Sequence, residues 1–378
     1  MRRYPLICLI ILGLMFSLCR LTLAISYTAI DVPGAVWTDA DGINDAGKIV
    51  GSYSDGNSQH GFSLDGGNFG VIDFPGAVAT AAFGINDVGQ IVGVYLENSG
   101  KVSGFLLDGG SFSTIDVPGA VWTEADGIND IGKIVGSYSD GSSQHGFLLD
   151  GGSFSVIDFP GAVATAAFGI NDVGQIVGAY LENSGKVSGF LLDGGSFSTI
   201  AFPGADVTYA FGINNTSQIV GFYADGHGDH GFLFIGGSFS TIDVPSANDT
   251  YVYGTNNNSQ IVGEYSDTIG FHGFVSTVCH CFTDNPTGCV SGSVTNYAGQ
   301  PLVGKTVILT RINPKPRLRK KVLTDSNGCY RFTDFEDKIA IYKVEVKKRC
   351  RGGGTKLVIV RYGSGVNGVD FVCEKRRR

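Results

Sequence analysis

Four short apolar runs separated by turn residues recur along most of the chain. In the second copy they read ATAAFGI, QIVGVYL, VSGFLLD and SFSTIDV, and the turns between them read NDVG, ENSGK, DGG and PGA. Each run has strand length and is rich in Val, Ile, Phe or Tyr. No stretch holds a helical period, so the chain is predicted to be all-β. The runs lack strict polar alternation, which points to strands buried on both faces. In the first turn, Asn86 and Asp87 suit the start of a type I turn and Gly89 the left-handed position that follows.

The unit repeats with a fixed period. The signature G-[IT]-N falls at Gly42, Gly84, Gly127, Gly169, Gly212 and Gly254, spacings of 42, 43, 42, 43 and 42. The signature I-x-[VF]-P starts at Ile30, Ile72, Ile115, Ile157, Ile200 and Ile242, and G-F pairs fall at Gly61, Gly104, Gly146, Gly189, Gly231 and Gly273. An all-β period near forty means a propeller or a β-solenoid. Four antiparallel strands per unit is the size of one propeller blade, so the expected fold is a six-bladed β-propeller of four-stranded blades. The ends of the array favour a ring. SYTAIDVPGA, at Ser26–Ala35, is a lone fourth strand, and the last unit stops after its third strand, FHGFVSTV at Phe271–Val278. The N-terminal strand is expected to complete the last blade and remove the open edges. ATAAFGI then becomes an innermost strand, its Ala and Gly crowding the axis. A seventh blade recruited from the C-terminal region is the alternative count.

Two blocks, Ile30–Phe112 and Ile115–Phe197, differ at only seven positions, among them Asp39/Glu124, Ala46/Ile131 and Ser63/Leu148. Units one and three, and units two and four, are therefore almost identical. An active site needs unlike groups, so an enzyme would have to gather them at one end of the channel from the divergent units five and six, Phe202–Val278. A six-fold monotonous funnel would exclude catalysis.

The run G-I-N-D-x-G-x-I-V-G, followed by H-G-F and a D-G-G turn, resembles the bacterial extracellular repeats of the HAF family. The tripeptide here is His60-Gly61-Phe62, His145-Gly146-Phe147, His230-Gly231-Phe232 and His272-Gly273-Phe274, with Gly where the family has Ala. Ser103 and Ser188 replace His in units two and four. The resemblance covers about Ser26 to Val278. It implies an extracellular repeat protein and carries no catalytic residue.

Charge divides the chain. The 378 residues include 57 Gly, about twice ordinary usage, and 16% are charged, with a net charge of −8. Acids dominate from Leu21 to Pro286, where Lys48, Lys101, Lys133 and Lys186 are the only Lys or Arg residues, while Lys and Arg dominate from Thr287 onward. Two surfaces of opposite sign suggest two domains. The acidic part argues against nucleic acid as a partner.

Residues 1–24 read as a signal peptide: basic Arg2 and Arg3, an apolar Leu6–Leu18, and Thr22-Leu23-Ala24 before the cleavage point. The apolar run is shorter than the ~20 residues that span a bilayer. No membrane span is expected in the mature chain, and an uncleaved anchor is the alternative. The mature protein is expected outside the cell, at its surface or in the periplasm, as a monomer. In an oxidising compartment Cys279, Cys281, Cys289, Cys329, Cys350 and Cys373 are disulfide candidates, with 15 pairings open. The cluster Cys279-His280-Cys281 with Cys289 matches no tight zinc spacing, so no metal is expected.

After a linker at 279–287, residues 288–374 supply seven or so short strands, the pattern of a small β-sandwich. Val290, Gly292, Val294, Pro301, Leu302, Gly304, Val307 and Leu309, with Thr324, Asp325, Gly328, Tyr330 and Phe332, form a motif string. It resembles carboxypeptidase regulatory-like and collagen-adhesin B-type domains. The resemblance implies an Ig- or prealbumin-like accessory domain without peptidase activity. Residues 375–378 are a basic tail.

Candidate chemistry is sparse. Four equivalent His cannot form one triad and are read as structural. Asp31, Asp73, Asp116, Asp158 and Asp243, and the turn residues Asp45, Asp87, Asp130 and Asp172, are read as turn chemistry, because no dense calcium loop occurs. Tyr53, Trp37, Trp122, Tyr95, Tyr180 and Tyr223 suit filling between blades better than a sugar-binding face. No nucleophile elbow, HExxH or P-loop appears, and no cofactor is expected. The expected function is a non-enzymatic binding or scaffold module for polysaccharide or a surface protein. The alternatives are a propeller hydrolase or lyase on extracellular glycan, and a purely structural surface-layer component.

Overall fold

The computed structural model describes residues 25–278 and, beyond them, 289–296, 304–313, 319–324, 329–332, 339–346, 355–361, 365–366 and 371–373. The segments expected to be a signal peptide (1–24), a linker (279–287) and a basic tail (375–378) lie outside the described residues. Every regular element among the described residues is a β-strand. None of them forms a helix long and apolar enough to cross a membrane.

Residues 25–278 form six four-stranded antiparallel sheets. The first runs in chain order from an inner strand Trp37–Ile43 through Ile49–Ser54 and Gln59–Asp65 to an outer strand Asn68–Ile72. The next four repeat that order from inner strands Ala79–Ile85, Trp122–Ile128, Ala164–Ile170 and Val207–Ile213. One parallel pair, Val187 with Val207, joins the fourth and fifth. The sixth sheet takes Asp249–Thr255, Gln260–Ser266 and Phe271–Val278 from the end of the array. Its outer strand is Ile25–Ile30, from the start of the chain, paired from Ile25 opposite Val278 to Ile30 opposite Gly273.

Burial explains the composition of each run. The Phe of every G-F pair is buried: Phe62, Phe105, Phe147, Phe190, Phe232 and Phe274 are each at most 1% exposed. Its ring packs under the glycine of the I-V-G run. A Cβ on Gly51 would stand 2.0 Å from the Asp39 carbonyl oxygen and 2.8 Å from the Phe62 ring, so only glycine fits there.

The valine of the same run faces the next sheet. Val50 packs with Ile72, Ala82, Ile91 and Phe105, and Val92 with Ile115, Ala125, Ile134 and Phe147. The series ends with Val262 of the sixth sheet packed with Ile30, Ala40, Ile49 and Phe62 of the first. Each such side chain contributes roughly 1.5–3 kcal/mol of burial. The I-x-[VF]-P segment latches onto the following inner strand, where buried Thr38 and Thr80 accept hydrogen bonds from the backbone N–H groups of Val32 (3.1 Å) and Phe74 (3.0 Å).

Polar bonds repeat the same circuit at the inner strand ends. Asn44 Nδ2 donates to the Asn86 carbonyl (3.2 Å), Asn86 to Asn129 (3.0 Å), Asn129 to Asn171 (3.1 Å) and Asn171 to Asn214 (3.1 Å). Asn214 donates to Asn256 and Asn256 back to Asn44, each at 2.9 Å. A parallel series runs from the Asp45 N–H to Asp87 Oδ1 (2.7 Å) and returns from the Asn257 N–H to Asp45 Oδ1 (2.7 Å).

Each inner strand carries one β-bulge, between Ala40 and Gly42 in the first sheet and at the equivalent point in the other five. The extra residue is Asp41, Phe83, Asp126, Phe168, Phe211 or Tyr253. A bulge re-aims its side chain, and here it lines the axis.

The C-terminal strands form two further sheets. In one, Cys289–Asn296 pairs antiparallel with Cys329–Phe332 and parallel with Gly365–Val366 and Phe371–Cys373. The other is antiparallel, ordered Arg319–Leu323, Thr306–Asn313, Ile339–Val346, Thr355–Arg361. Val294 and Phe332 of the first sheet and Val307, Leu309 and Val344 of the second are buried. Cys289, Cys329 and Cys373 lie on the first sheet, and Cys279, Cys281 and Cys350 lie outside the described residues.

Candidate functional site

The H-G-F histidines sit at equivalent places on four sheets. His60 Nδ1 is 3.1 Å from Asp73, its Nε2 is 3.7 Å from Asp55, and its ring stacks on Tyr53 at 5.3 Å. His145, His230 and His272 repeat this with Asp158 and Asp140, Asp243 and Asp225, and Asp31 and Asp267. In the second sheet Ser103 donates to Glu97 (3.1 Å) and Lys101 pairs with Asp116. Each imidazole hydrogen-bonds one carboxylate through Nδ1 and has a second carboxylate 3.5–3.7 Å from Nε2, an arrangement that fastens strand ends. Opposed ring nitrogens also cannot share one ion. Among the described residues no three His, Cys, Asp or Glu are grouped to hold a metal.

The sequence-selected aromatics divide between two roles. Tyr95, Tyr180 and Tyr223 are buried and stack on Phe74, Phe159 and Phe202 at 3.7, 3.7 and 3.5 Å, filling the space between sheets. Trp37 and Trp122 begin inner strands, on the same strand faces as Asp39 and Glu124. The turn aspartates do occupy turns, but their carboxylates also accept the N–H of the preceding sheet, as Asp130 Oδ1 does from Asp87 at 2.8 Å.

Unlike groups converge at the axis. A cavity of about 90 Å³ is lined by the six bulge residues, two carboxyls and four aromatic rings, above a floor of inner-strand glycines and isoleucines. The glycines set its width, because a Cβ on Gly84 would meet the Asp126 carbonyl oxygen at 2.7 Å. A second cavity, about 70 Å³, lies among the Asn–Asp turns. Neither lining contains Lys, Arg or His.

One layer outward from the bulges, cross-strand pairs make two contrasting walls. Asp39 faces Ser52, Glu124 faces Ser137 and Tyr251 faces Glu264. Tyr209 faces Phe222, while Ala81–Val94 and Ala166–Ala179 are small and apolar. The acidic wall comes from the first, third and sixth sheets. The aromatic wall comes from the fifth and sixth: Tyr209–Phe222 at 5.1 Å, Phe222–Tyr251 at 5.0 Å and Phe211–Tyr253 at 5.3 Å between ring centres. Tyr251 donates its hydroxyl to Asp229 Oδ2 at 2.5 Å. An apolar groove of about 210 Å³, lined by Ala164, Ala166, Phe168, Leu181, Val187 and Tyr209, runs outward between the fourth and fifth sheets.

Burial without basic partners raises the acids. Asp41 and Asp126 lie well above the usual carboxylate range, first through burial and then through neighbouring acids. Burial also raises Glu124. Glu264 is only 8% exposed and is pushed up to about 10 by burial, by its hydrogen bond to Asp39 and by the charges of Asp39 and Asp41. Asp39 is raised by burial, which that same bond opposes. Glu264 therefore holds the proton and Asp39 accepts it. Asp39 Oδ1, Asp41 Oδ2 and Asp126 Oδ2 are buried and have no hydrogen-bond partner.

Asp41, Asp126, Tyr209, Tyr251, Tyr253 and Glu264 carry no motif that marks them in the sequence, although the last four lie in the divergent units where unlike groups were expected. Aligning the six inner strands on the bulge residue and the residue two before it would have found the first five, whereas Glu264 lies on the second strand of the sixth sheet, opposite Tyr251. The funnel is not six-fold monotonous.

No protein-family model matches the chain, and neither does any curated protein. Among solved structures it is similar to the fucose-recognising, six-bladed β-propeller lectin of Aleuria aurantia, at 15% identity over 67% of this chain and 91% of that one, TM-score 0.40. It is also similar to TolB from Acinetobacter baumannii, at 14% identity over 68% and 64%, TM-score 0.44. The β-propeller domain of the Trilobed protease from Pyrococcus furiosus gives 11% identity over 88% and 98%, TM-score 0.41.

Proposed function

We propose that this chain is an exported, non-enzymatic binding protein of the cell surface or extracellular space, a six-bladed propeller that takes carbohydrate in its axial funnel. The apposed aromatic and acidic walls carry the reading. A pyranose presents an apolar face, which stacks on rings such as Tyr209 and Phe222, and a rim of hydroxyl donors, which carboxylates accept. A concave site with apolar walls and a few convergent polar groups is where ligands bind. Support for a closed ring of six blades comes from the asparagine circuit that returns to Asn44 and from the Val262 cluster that joins the sixth sheet to the first. In this reading the C-terminal strands form a separate β-sandwich and the repeats are of HAF type. A glycan array with the full chain tests the proposal. A retained glycan whose binding falls at least tenfold in Tyr209→Ala is expected, and an empty array overturns it.

One observation favours a hydrolase: a protonated Glu264 beside Asp39 resembles an acid–base pair. Spacing argues against glycoside cleavage, because the two carboxyls touch, whereas the known mechanisms place them about 5 Å or more apart. Mass spectrometry of array-positive glycans after long incubation is expected to show no product.

We propose further that the C-terminal cysteines pair across groups. Cys329 lies opposite Ser293 and Cys373 opposite Asn296, on different neighbours of the strand that begins at Cys289. At ~3.3 Å per residue these three stand beyond the ~7 Å reach of a disulfide from one another. Each would then bond to one of Cys279, Cys281 and Cys350. Non-reducing peptide mapping checks this, and a Cys289–Cys329 peptide would refute it.

A further inference from the structure

A pyranose stacked in the funnel does not account for the groove between the fourth and fifth sheets. At about 210 Å³ it is more than twice the size of the axial cavity, and no charged side chain lines it. Two of its polar side chains are already engaged. Thr165 accepts the Phe159 N–H at 3.0 Å, and the Tyr180 hydroxyl is hydrogen-bonded to that of Thr199 at 3.0 Å. Half-buried Gln144 adds an amide to the lining. A groove of this composition suits a neutral apolar group that carries a hydrogen-bond acceptor.

The groove is continuous with the funnel. Phe168 lines both the groove and the axial cavity, and Tyr209 is a wall of the groove whose ring also stacks on Phe222 at 5.1 Å. A group in the groove is therefore within reach of a ligand held on the aromatic wall.

The duplicated blocks supply a comparison within the molecule. In the second sheet Ala81 faces Val94, whereas in the fourth Ala166 faces Ala179. The inner strand that follows brings Glu124 after the second sheet and Tyr209 after the fourth. One wall of the groove thus has two methyl groups fewer than its duplicate, and the other has a ring in place of a carboxyl. Both exchanges favour burial of apolar surface at the fourth sheet alone.

We propose that the groove binds a short acyl chain of about four to six carbons, so that the carbohydrate taken by the funnel is acylated. The inference rests on the carbohydrate reading above and names the class of sugar. An apolar cavity of about 150 Å³ holds benzene, so this groove exceeds what an acetyl group fills and falls short of a lipid tail. The acyl carbonyl accepts from the Gln144 amide, and the hydrocarbon lies against Ala164, Ala166 and Leu181. A plain alkyl or aryl substituent would leave that amide without an acceptor. Ala179 and Gln144 are thus specificity-determining residues, while the Tyr209–Phe222 wall supplies stacking to any pyranose.

Calorimetry and ligand-observed NMR on the full-length protein separate these roles. The probes are N-acetyl-, N-butyryl- and N-octanoylglucosamine, with N-methylbutyramide as an acyl group without a sugar. Affinity is expected to rise about fourfold per methylene from acetyl to butyryl and to gain nothing further at octanoyl. Ala179→Val installs the residue that the second sheet carries at the same place, so the fold accepts it. This variant is expected to abolish the gain with chain length, leaving N-acetylglucosamine binding and Tm unchanged. Gln144→Leu is expected to weaken the butyryl compound about fivefold. Equal affinity across the series, or butyryl binding unchanged in either variant, overturns the acyl inference and leaves the carbohydrate reading standing. N-methylbutyramide bound by the wild type and lost in Ala179→Val, with no glycan bound, overturns the carbohydrate reading and upholds the acyl groove. Binding of none of the probes overturns the inference.

Discussion

A carboxyl pushed up to about 10 stays protonated through the neutral range, so Glu264 keeps a proton that the unfolded chain would release near pH 4.5. Between those values the folded state holds more protons than the unfolded one, and stability falls as pH rises. Asp41 and Asp126, raised in the same direction, add to the slope. The rim aspartates Asp55, Asp140, Asp225 and Asp267 work at the other end. They are held below the usual range, first by backbone N–H donors such as that of Ser58 and then by the facing histidines, and their contribution is lost only as pH falls below about 4. Thermal melts across pH 3–10 are therefore expected to peak near pH 5 and decline steadily on the alkaline side. Glu264→Gln, which keeps the donor to Asp39 without a titrating proton, should flatten that decline. A flat wild-type profile from pH 5 to 9 would sink the account.

At the scale of the element, the six buried Phe residues, one in each sheet, are equivalent, and truncation should show it. Phe105→Ala removes a ring with no exposed surface and is expected to cost about 3–5 kcal/mol in denaturant unfolding. Phe190→Ala, its counterpart in the near-duplicate fourth sheet, should cost the same within error. This scale was also the most legible in sequence. The run ATAAFGI is the strand Ala79–Ile85, and the turn after it closes with the Gly89 N–H bonded to the Asn86 carbonyl at 3.1 Å and Gly89 at φ +89°. Local propensity and turn chemistry decide such features within a few residues, so one stretch of sequence suffices to read them. The bulge did not declare itself, because Asp41 and Phe83 occupy the same extra position and share no side-chain chemistry. Asp39 stood out as a rare difference between duplicated blocks, and Glu264 belongs to a divergent unit. Their contact exists only where the last sheet meets the first, and chain order alone does not place them together.

At the scale of the molecule, both chain ends of the array meet in one sheet. Removing residues 25–30 would expose the Phe271–Val278 edge and strip Tyr27 and Ile30 from the clusters on either side of the sixth sheet. That deletion is expected to lower Tm by several degrees and to produce concentration-dependent association on size exclusion, since an unpaired edge templates another strand. A monomeric deletion variant with unchanged Tm would show that the strand is dispensable. Near-identity of the duplicated blocks acts at this scale as well. During folding, the valine face of the second sheet meets almost the same surface on the third sheet as the sixth sheet meets on the first. A chain can therefore skip two units and join sheets that are 85 residues out of step without a local penalty. Such a shortcut would strand one whole duplicate outside the proposed ring. Only the divergent fifth and sixth units, with the returning N-terminal strand, distinguish the complete ring from the shortened one, so the sheets least like the others set the correct alignment of the rest.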